Sequence, residues 1–175
     1  MTKDVITAIE ERTSIRKYKK DSVPETIITK ILDAARKAPS AGNRQPWKFI
    51  VVYNEDVKSK LSDAALKQKF VSSAPVVIVV CAEPETSRKR FGERGENLYC
   101  IQDTAAATQN ILLAATGYGL GTCWVGAFSE SKVKECLELP VGLRPVAMVT
   151  VGYPESEEIK RSGRRSLADI VHIIK

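Results

Sequence analysis

The feature that most constrains the fold is residues 75–81, Pro-Val-Val-Ile-Val-Val-Cys, where every side chain is apolar. A strand with one face in water alternates apolar and polar residues, so a run without alternation predicts a central strand buried on both faces. Cys81 should then be a buried thiol. Further strands are predicted at 47–53 and 145–153, and an alanine-rich helix at 99–116 can pack closely against them.

Amphipathic patterns and capping residues predict further helices around these strands. They begin after Thr2, at Pro24, after Asn54 and after Ser129, and end near Glu11, before Pro39, near Leu66 and at Leu137, respectively. Residues 83–97 are polar and aperiodic, which predicts a mobile loop or a short lid over a site. Residues 166–169, Ser-Leu-Ala-Asp, have the capping-box form of a terminal helix. We expect one α+β domain over residues 1–175, with a mixed, mainly antiparallel sheet sandwiched by helices.

The composition excludes a disordered chain, because 43% of the residues are hydrophobic. No apolar run approaches the ~18 residues of a membrane span, and residues 1–4 lack the apolar core of a signal peptide. We therefore expect a cytoplasmic protein with no membrane partner. The cysteines include no Cys-x-x-Cys pair, which argues against a zinc site and a disulfide framework. The net charge of +6 suits phosphate-bearing cofactors. Nucleic acid is not an expected partner, because no aromatic residues interleave the basic ones.

Two polar segments carry recognisable chemistry. Residues 12–18, Arg-Thr-Ser-Ile-Arg-Lys-Tyr, place two guanidinium groups near hydroxyls, a set that can bind a phosphomonoester through charge-assisted hydrogen bonds. Residues 39–47, Pro-Ser-Ala-Gly-Asn-Arg-Gln-Pro-Trp, form a polar turn between a helix and a strand. The amides of Asn43 and Gln45 can donate and accept at the edge of a flat heterocycle. Because Gln45 precedes Pro46, an extended backbone is expected at Gln45.

In this order and spacing, the two segments resemble the FMN-dependent nitroreductase family. The resemblance implies a homodimer with one FMN at each of two interface sites. It assigns FMN contacts to the first segment, through Arg12, Thr13, Ser14 and Arg16. It assigns further contacts, made from the partner subunit, to Ser40, Ala41, Asn43 and Gln45. The isoalloxazine edge would lie along Cys123, Trp124, Val125 and Gly126, with a polar ring contact at Gln68 and Lys69. Arg164 would close on the phosphate, and Arg165 could substitute for it. Thr13 stands where the family often has an arginine, which reduces the cation count at the phosphate.

The rest of the chain offers little catalytic chemistry of its own. His172 is the only histidine, there is no Gly-x-Ser-x-Gly, and no histidine cluster is present for a metal. Gly117, Gly119 and Gly121 are predicted to follow a helix and precede a strand, the reverse of the dinucleotide-binding fingerprint. No catalytic or metal-ligating residue is therefore predicted, and a protein of this kind must borrow reactivity from a cofactor such as a flavin.

The resemblance implies a ping-pong reaction in which NADH or NADPH reduces FMN. A small-molecule acceptor such as a nitroaromatic or a quinone then takes the same place. Three alternatives stay open. The first is specialised chemistry of the same family, such as dehalogenation or azoline oxidation. The second is a protein that binds or stores FMN without turnover. The third, which is the least favoured, is a basic nucleic-acid-binding module.

Overall fold

The computed structural model of the chain describes residues 2–156 and 162–175. Its sheet has the strand order β1-β2-β4-β3. The strands are β1 (Trp47–Val52), β2 (Val76–Ala82), β3 (Gly121–Val125) and β4 (Arg144–Gly152). Every pairing between these strands is antiparallel. Among the described residues, the parallel component of the predicted mixed sheet is one bridge between Ser14 and Thr122 at the edge of β3. The predicted α+β class is confirmed.

Helices cover both faces of this sheet. They are α1 (Val5–Glu11), α2 (Glu25–Ala35), α3 (Glu55–Ala64), α4 (Phe70–Ser73), α5 (Pro84–Arg94), α6 (Cys100–Gly117) and α7 (Glu130–Cys136). One core cluster joins Ile31 of α2 and Ile111 of α6 to Ile78 of β2. The opposite cluster joins helices α3, α4 and α7 to the alternate β2 residues, including Val79. Consecutive β2 side chains therefore enter different cores, and every residue of β2 is buried, as the apolar run predicts.

Two predicted helix ends were wrong, and each has a local cause. The α1 helix is capped by Asp4 rather than Thr2, because Asp4 Oδ1 accepts hydrogen bonds from Ile6 N at 3.0 Å and Thr7 N at 3.1 Å. The third helix ends at Ala64 and does not reach Leu66, whose φ of 57° is left-handed and cannot continue a helix. The predicted caps Asn54 and Ser129 are confirmed.

The predicted mobile loop at 83–97 was also wrong, because this segment forms α5 followed by a π-helical turn, Gly95–Tyr99. The alternative that it acts as a lid stays a prediction. Within α5 only Ser87 is buried, and this explains why the sequence shows no apolar stripe at helical spacing. It is held instead by close backbone packing. A Cβ added at Gly95 would lie 2.5 Å from the Ser87 carbonyl oxygen.

The predicted terminal helix is limited to one 3₁₀ turn, Leu167–Asp169. Ser166 does form the predicted cap, since its Oγ accepts from Asp169 N at 3.3 Å and donates to Asp169 Oδ2 at 2.8 Å. All residues from 162 to 175 are exposed, including Ile170 and Ile174. Without a buried face, this segment has nothing to stabilise a longer helix. Within residues 2–156 and 162–175, no helix has the length and apolar character needed to cross a membrane.

Candidate functional site

The first polar segment lies along the outer edge of β3. Ser14 forms a bridge with Thr122, and Ile15 N donates a hydrogen bond to Thr122 O at 2.8 Å. Because side chains alternate along an extended backbone, Arg12, Ser14 and Arg16 share one side. Thr13 and Ile15 lie on the other side, where both line a small cleft with Gly121. The Arg-x-Ser-x-Arg spacing therefore gathers two cations and a hydroxyl on the same surface.

That surface faces the Cys123 thiol. Burial raises the pKa of Cys123, whereas the positive charge of Arg16, polar interactions with Ser14 and Arg16, and the charge of Arg12 lower it. Cys123 is 2% exposed. Its neighbour Trp124 is 38% exposed, although every other β3 residue is buried. The exposed indole of Trp124 offers an apolar platform on the same strand.

Residues around the start of α4 lie next to Arg16 and the end of β3. The Arg16 guanidinium lies over the Phe70 ring, with its Cζ 5.7 Å from the ring centroid. Gln68 Nε2 donates to Ala65 O at 2.9 Å and to Ala127 O at 3.3 Å, which ties this segment to the chain that follows β3. The structure thus brings Gln68 and the adjacent Lys69 close to the predicted residues on β3.

The second polar segment lies elsewhere in the protomer. Ala41 N donates to Asp103 Oδ1 of α6 at 3.0 Å, and Gln45 N donates to Ser40 Oγ at 2.9 Å. Gln45 Nε2 contacts both Asn43 O and Asn43 Oδ1 at 3.3 Å. The expected extended backbone at Gln45 was wrong, because its φ is 52°, and Gly42 and Asn43 are also left-handed. The hydrogen bonds within the turn hold this conformation in spite of the following proline.

The two polar segments lie near opposite ends of α6. Asp103 and Thr116 are 13 residues apart on this helix, which is about 20 Å at 1.5 Å per residue. Asp103 anchors the Ser40–Gln45 turn near the N-terminus of α6, whereas the cleft beside Thr13 is lined by Thr116 and Gly119 at its C-terminus. In the described part of the chain, no hydrogen bond or ion pair joins the turn to residues 12–16.

The tail arginines also lie apart from the first segment. Arg164 Nη1 donates to Ser162 O at 2.9 Å and to Gly163 O at 3.1 Å. Arg165 Nη2 donates to Asp169 O at 3.0 Å. Both guanidinium groups therefore bind their own exposed tail within the single chain.

Two features near the turn were not found by sequence analysis. Asp103 is 7% exposed, and its Oδ2 has no hydrogen-bond partner among the described residues. Burial raises the pKa of this carboxyl, and the hydrogen bond from Ala41 N lowers it. The only signal in the sequence was an acidic residue inside an alanine-rich helix. The second feature is the surface of α5, whose arginines were assigned to a loop.

Known proteins share this fold and much of this sequence. A model of the nitroreductase family matches residues 9–72 and 65–153. A Thermus thermophilus protein named NADH dehydrogenase is 36% identical over 181 residues, covering 88% of each chain. An FMN reductase (NAD(P)H) of Bacillus subtilis is 27% identical over 171 residues, covering 90% of this chain and 69% of that protein. The crystal structure of a nitroreductase family protein from Clostridium novyi NT has a TM-score of 0.81 at 35% identity, covering 91% of this chain and 89% of that one.

Proposed function

The chain belongs to the nitroreductase family of oxidoreductases, and we propose that it binds FMN and uses NADH or NADPH to reduce small acceptors such as nitroaromatics or quinones. The observation that carries this proposal is the placement of Arg12, Ser14 and Arg16 on one surface beside Cys123. The names of the Thermus thermophilus and Bacillus subtilis relatives support a nicotinamide donor and a flavin.

The donor set on this surface fits FMN. The two guanidinium groups and the Ser14 hydroxyl suit a phosphate or ribityl chain, because planar forks bind phosphate oxygens in pairs. The exposed indole of Trp124 and the amide of Gln68 suit a flat heterocycle with polar edges. FMN, when bound, supplies the hydride acceptor and electron carrier that the chain's own side chains lack. An arginine close to the ring would stabilise the negative charge that reduction adds.

The site we propose is completed by a second copy of the chain. Ser40, Ala41, Asn43 and Gln45 of that copy would contact the flavin, and Arg164 or Arg165 would approach the phosphate. Exposed apolar side chains support an interface. They lie on α1, as Val5, Ile6 and Ile9, and in the tail, as Leu167, Ile170, Ile173 and Ile174. Burial of these side chains against a second copy would remove them from water.

A ping-pong order is part of the proposal and comes from the family resemblance. Donor and acceptor would occupy the same place in turn. The residues around it would orient each substrate and exclude water. Members with dehalogenating or azoline-oxidising chemistry would use the same surface, and a substrate panel separates them from a nitroreductase.

The first test is the visible spectrum of the purified protein after incubation with FMN and removal of unbound FMN, recorded without oxygen before and after NADH or NADPH. Flavin bands that bleach are expected. Bands that persist would instead support a protein that stores FMN. Absence of bands even with added FMN would overturn the proposal. Binding to nucleic acid that weakens steeply with salt would then favour the alternative of a basic nucleic-acid-binding module.

Substitution of the two arginines tests the assignment of the phosphate. Arg12→Ala or Arg16→Ala should weaken FMN binding by about 1.5–3 kcal/mol, or roughly 10–150-fold in Kd, for one lost charge-assisted hydrogen bond. Arg36→Ala is the matched control, because Arg36 is exposed and pairs with Asp33 on α2. Equal FMN affinity in all three variants would remove Arg12 and Arg16 from the site.

A further inference from the structure

We infer that α5 and the π-helical turn after it carry a binding site for the phosphate groups of the nicotinamide dinucleotide, formed by the guanidinium groups of Arg90 and Arg94. This inference rests on the proposed function, because it names a second part of the same substrate site. It concerns the donor rather than the flavin. Arg90, Phe91, Arg94 and Tyr99 are called the arginine ladder below.

The ladder holds two guanidinium groups over two aromatic rings. Arg90 Cζ lies 5.5 Å from the centroid of the Phe91 ring, and Arg94 Cζ lies 5.3 Å from that of Tyr99. Arg94 Nε also donates to the Tyr99 hydroxyl at 2.9 Å. The two rings meet edge to face, with centroids 5.3 Å apart and planes at 78°. The rings therefore restrict both cations and reduce the side-chain entropy that binding an anion would cost.

The positive charge of the ladder is not neutralised by the protein. Arg90 and Arg94 are exposed, and neither forms an ion pair with a carboxylate in residues 2–156 and 162–175. Glu93, which lies between them in the sequence, pairs with neither. Arg88 of the same helix differs, because its Nη1 lies 2.8 Å from Glu96 Oε2. Two free guanidinium groups held by a common aromatic pair suit a diphosphate, whose oxygens accept paired hydrogen bonds.

Local backbone geometry sets the position of the ladder. Gly92 has φ 59° and ψ −147°, so the helix is interrupted between Phe91 and Arg94. Gly95 then packs on the Ser87 carbonyl, at a separation that leaves no room for a Cβ. These two glycines allow the chain to bring Tyr99 back against Phe91. In an uninterrupted helix, residues eight apart would lie about 12 Å from each other along the axis.

The ladder lies against the turn that we propose for the flavin of a second copy. A Cβ added at Gly42 would be 3.0 Å from Phe91 Cζ and 3.2 Å from both Arg90 Cζ and Arg90 Nε. Gly42 is adjacent to Asn43 in that turn. In NADH and NADPH, one ribose separates the nicotinamide from the diphosphate. A donor whose nicotinamide reaches the flavin beside this turn would therefore place its phosphates near Arg90.

The experiment compares Arg90→Ala, Arg94→Ala and the double variant with the unaltered protein, using two classes of donor. NADH and NADPH carry phosphates, whereas N-benzyl-dihydronicotinamide transfers the same hydride and carries none. For each lost arginine we expect KM for NADH and NADPH to rise about tenfold. The KM and kcat for the phosphate-free donor should stay unchanged. Arg88→Ala is the matched control and should leave both classes unaffected, because Glu96 already neutralises Arg88.

Calorimetric titration with NAD⁺ gives a readout that does not depend on flavin reduction. The unaltered protein should bind NAD⁺ more tightly than the double variant, and the difference should shrink with added salt. Equal NAD⁺ affinity in both proteins would overturn the inference, even if NADH bleaches the flavin. An equal loss with the phosphate-free donor would also overturn it, since the variants would then act on the flavin site. If the double variant loses NAD⁺ binding and the unaltered protein shows no flavin spectrum, the result would support the ladder and contradict the proposed function.

Discussion

Gly121 provides the sharpest test of how residues 12–16 are held. It is the first residue of β3 and lies next to Ile15. A Cβ added at Gly121 would lie 2.8 Å from Ile15 Cγ1 and 2.9 Å from both Ile15 Cβ and Ile15 Cγ2. These separations are shorter than carbon atoms tolerate, so Gly121→Ala must displace Ile15 or the strand. Either movement strains the 2.8 Å hydrogen bond from Ile15 N to Thr122 O.

The expected effect can be estimated from the cost of overpacking. One extra methyl group in a closely packed site costs about 1–3 kcal/mol of unfolding free energy. In a chain of this length, that lowers Tm by about 2–12 °C, at roughly 2–4 °C per kcal/mol. Arg12, Ser14 and Arg16 lie on either side of Ile15, so the displacement should also weaken FMN binding by about tenfold, as for one lost charge-assisted bond.

The assay is thermal unfolding at a fixed protein concentration, followed by FMN titration of the folded protein. Gly163→Ala is the matched control, because no heavy atom lies within 4 Å of a Cβ at that position. The double variant Gly121→Ala/Ile15→Ala removes two of the three close atoms. It should recover part of the stability that Gly121→Ala alone loses, relative to Ile15→Ala. If Gly121→Ala behaves like the control in both measurements, the close approach does not hold the segment.

Two further predictions concern buried charged groups. Lys58 is 2% exposed and its Nζ donates to Ala74 O at 2.7 Å, so Lys58→Met should lose about 1–3 kcal/mol of unfolding free energy by leaving that carbonyl unpaired. Lys58→Ala should lose a further 2–5 kcal/mol or so through the cavity, and equal urea midpoints for the two variants would contradict this account. Burial raises the pKa of Asp103 above its usual 3.8, so its charged form destabilises the fold at neutral pH. Asp103→Asn keeps an acceptor for Ala41 N and should therefore increase the unfolding free energy at pH 7. This gain should disappear as the pH falls towards 3.8. A gain that persists at that pH would refute the charge argument.

Local patterns in the sequence determined the elements whose burial is regular. The apolar run at 75–81 predicted β2, because a strand covered on both faces leaves no position for a polar side chain. Asn54 and Ser129 could be identified as caps, since each side-chain oxygen accepts a backbone N–H within the first helical turn. The grouping of Arg12 and Arg16 with a hydroxyl was predicted from the sequence, whereas the extended backbone that places them on one side was not. Alternation along an extended chain is a property of the backbone alone.

Only the tertiary structure decided the features that depend on a distant neighbour. The α5 helix has no apolar stripe, so its helical state could not be read from hydrophobic periodicity. The left-handed backbone at Gln45 is held by Ser40 Oγ and Asn43, against the local preference of a residue before proline. The Ser40–Gln45 turn is fixed to α6 by the hydrogen bond from Ala41 N to Asp103 Oδ1, and no local pattern encodes a contact across 62 residues.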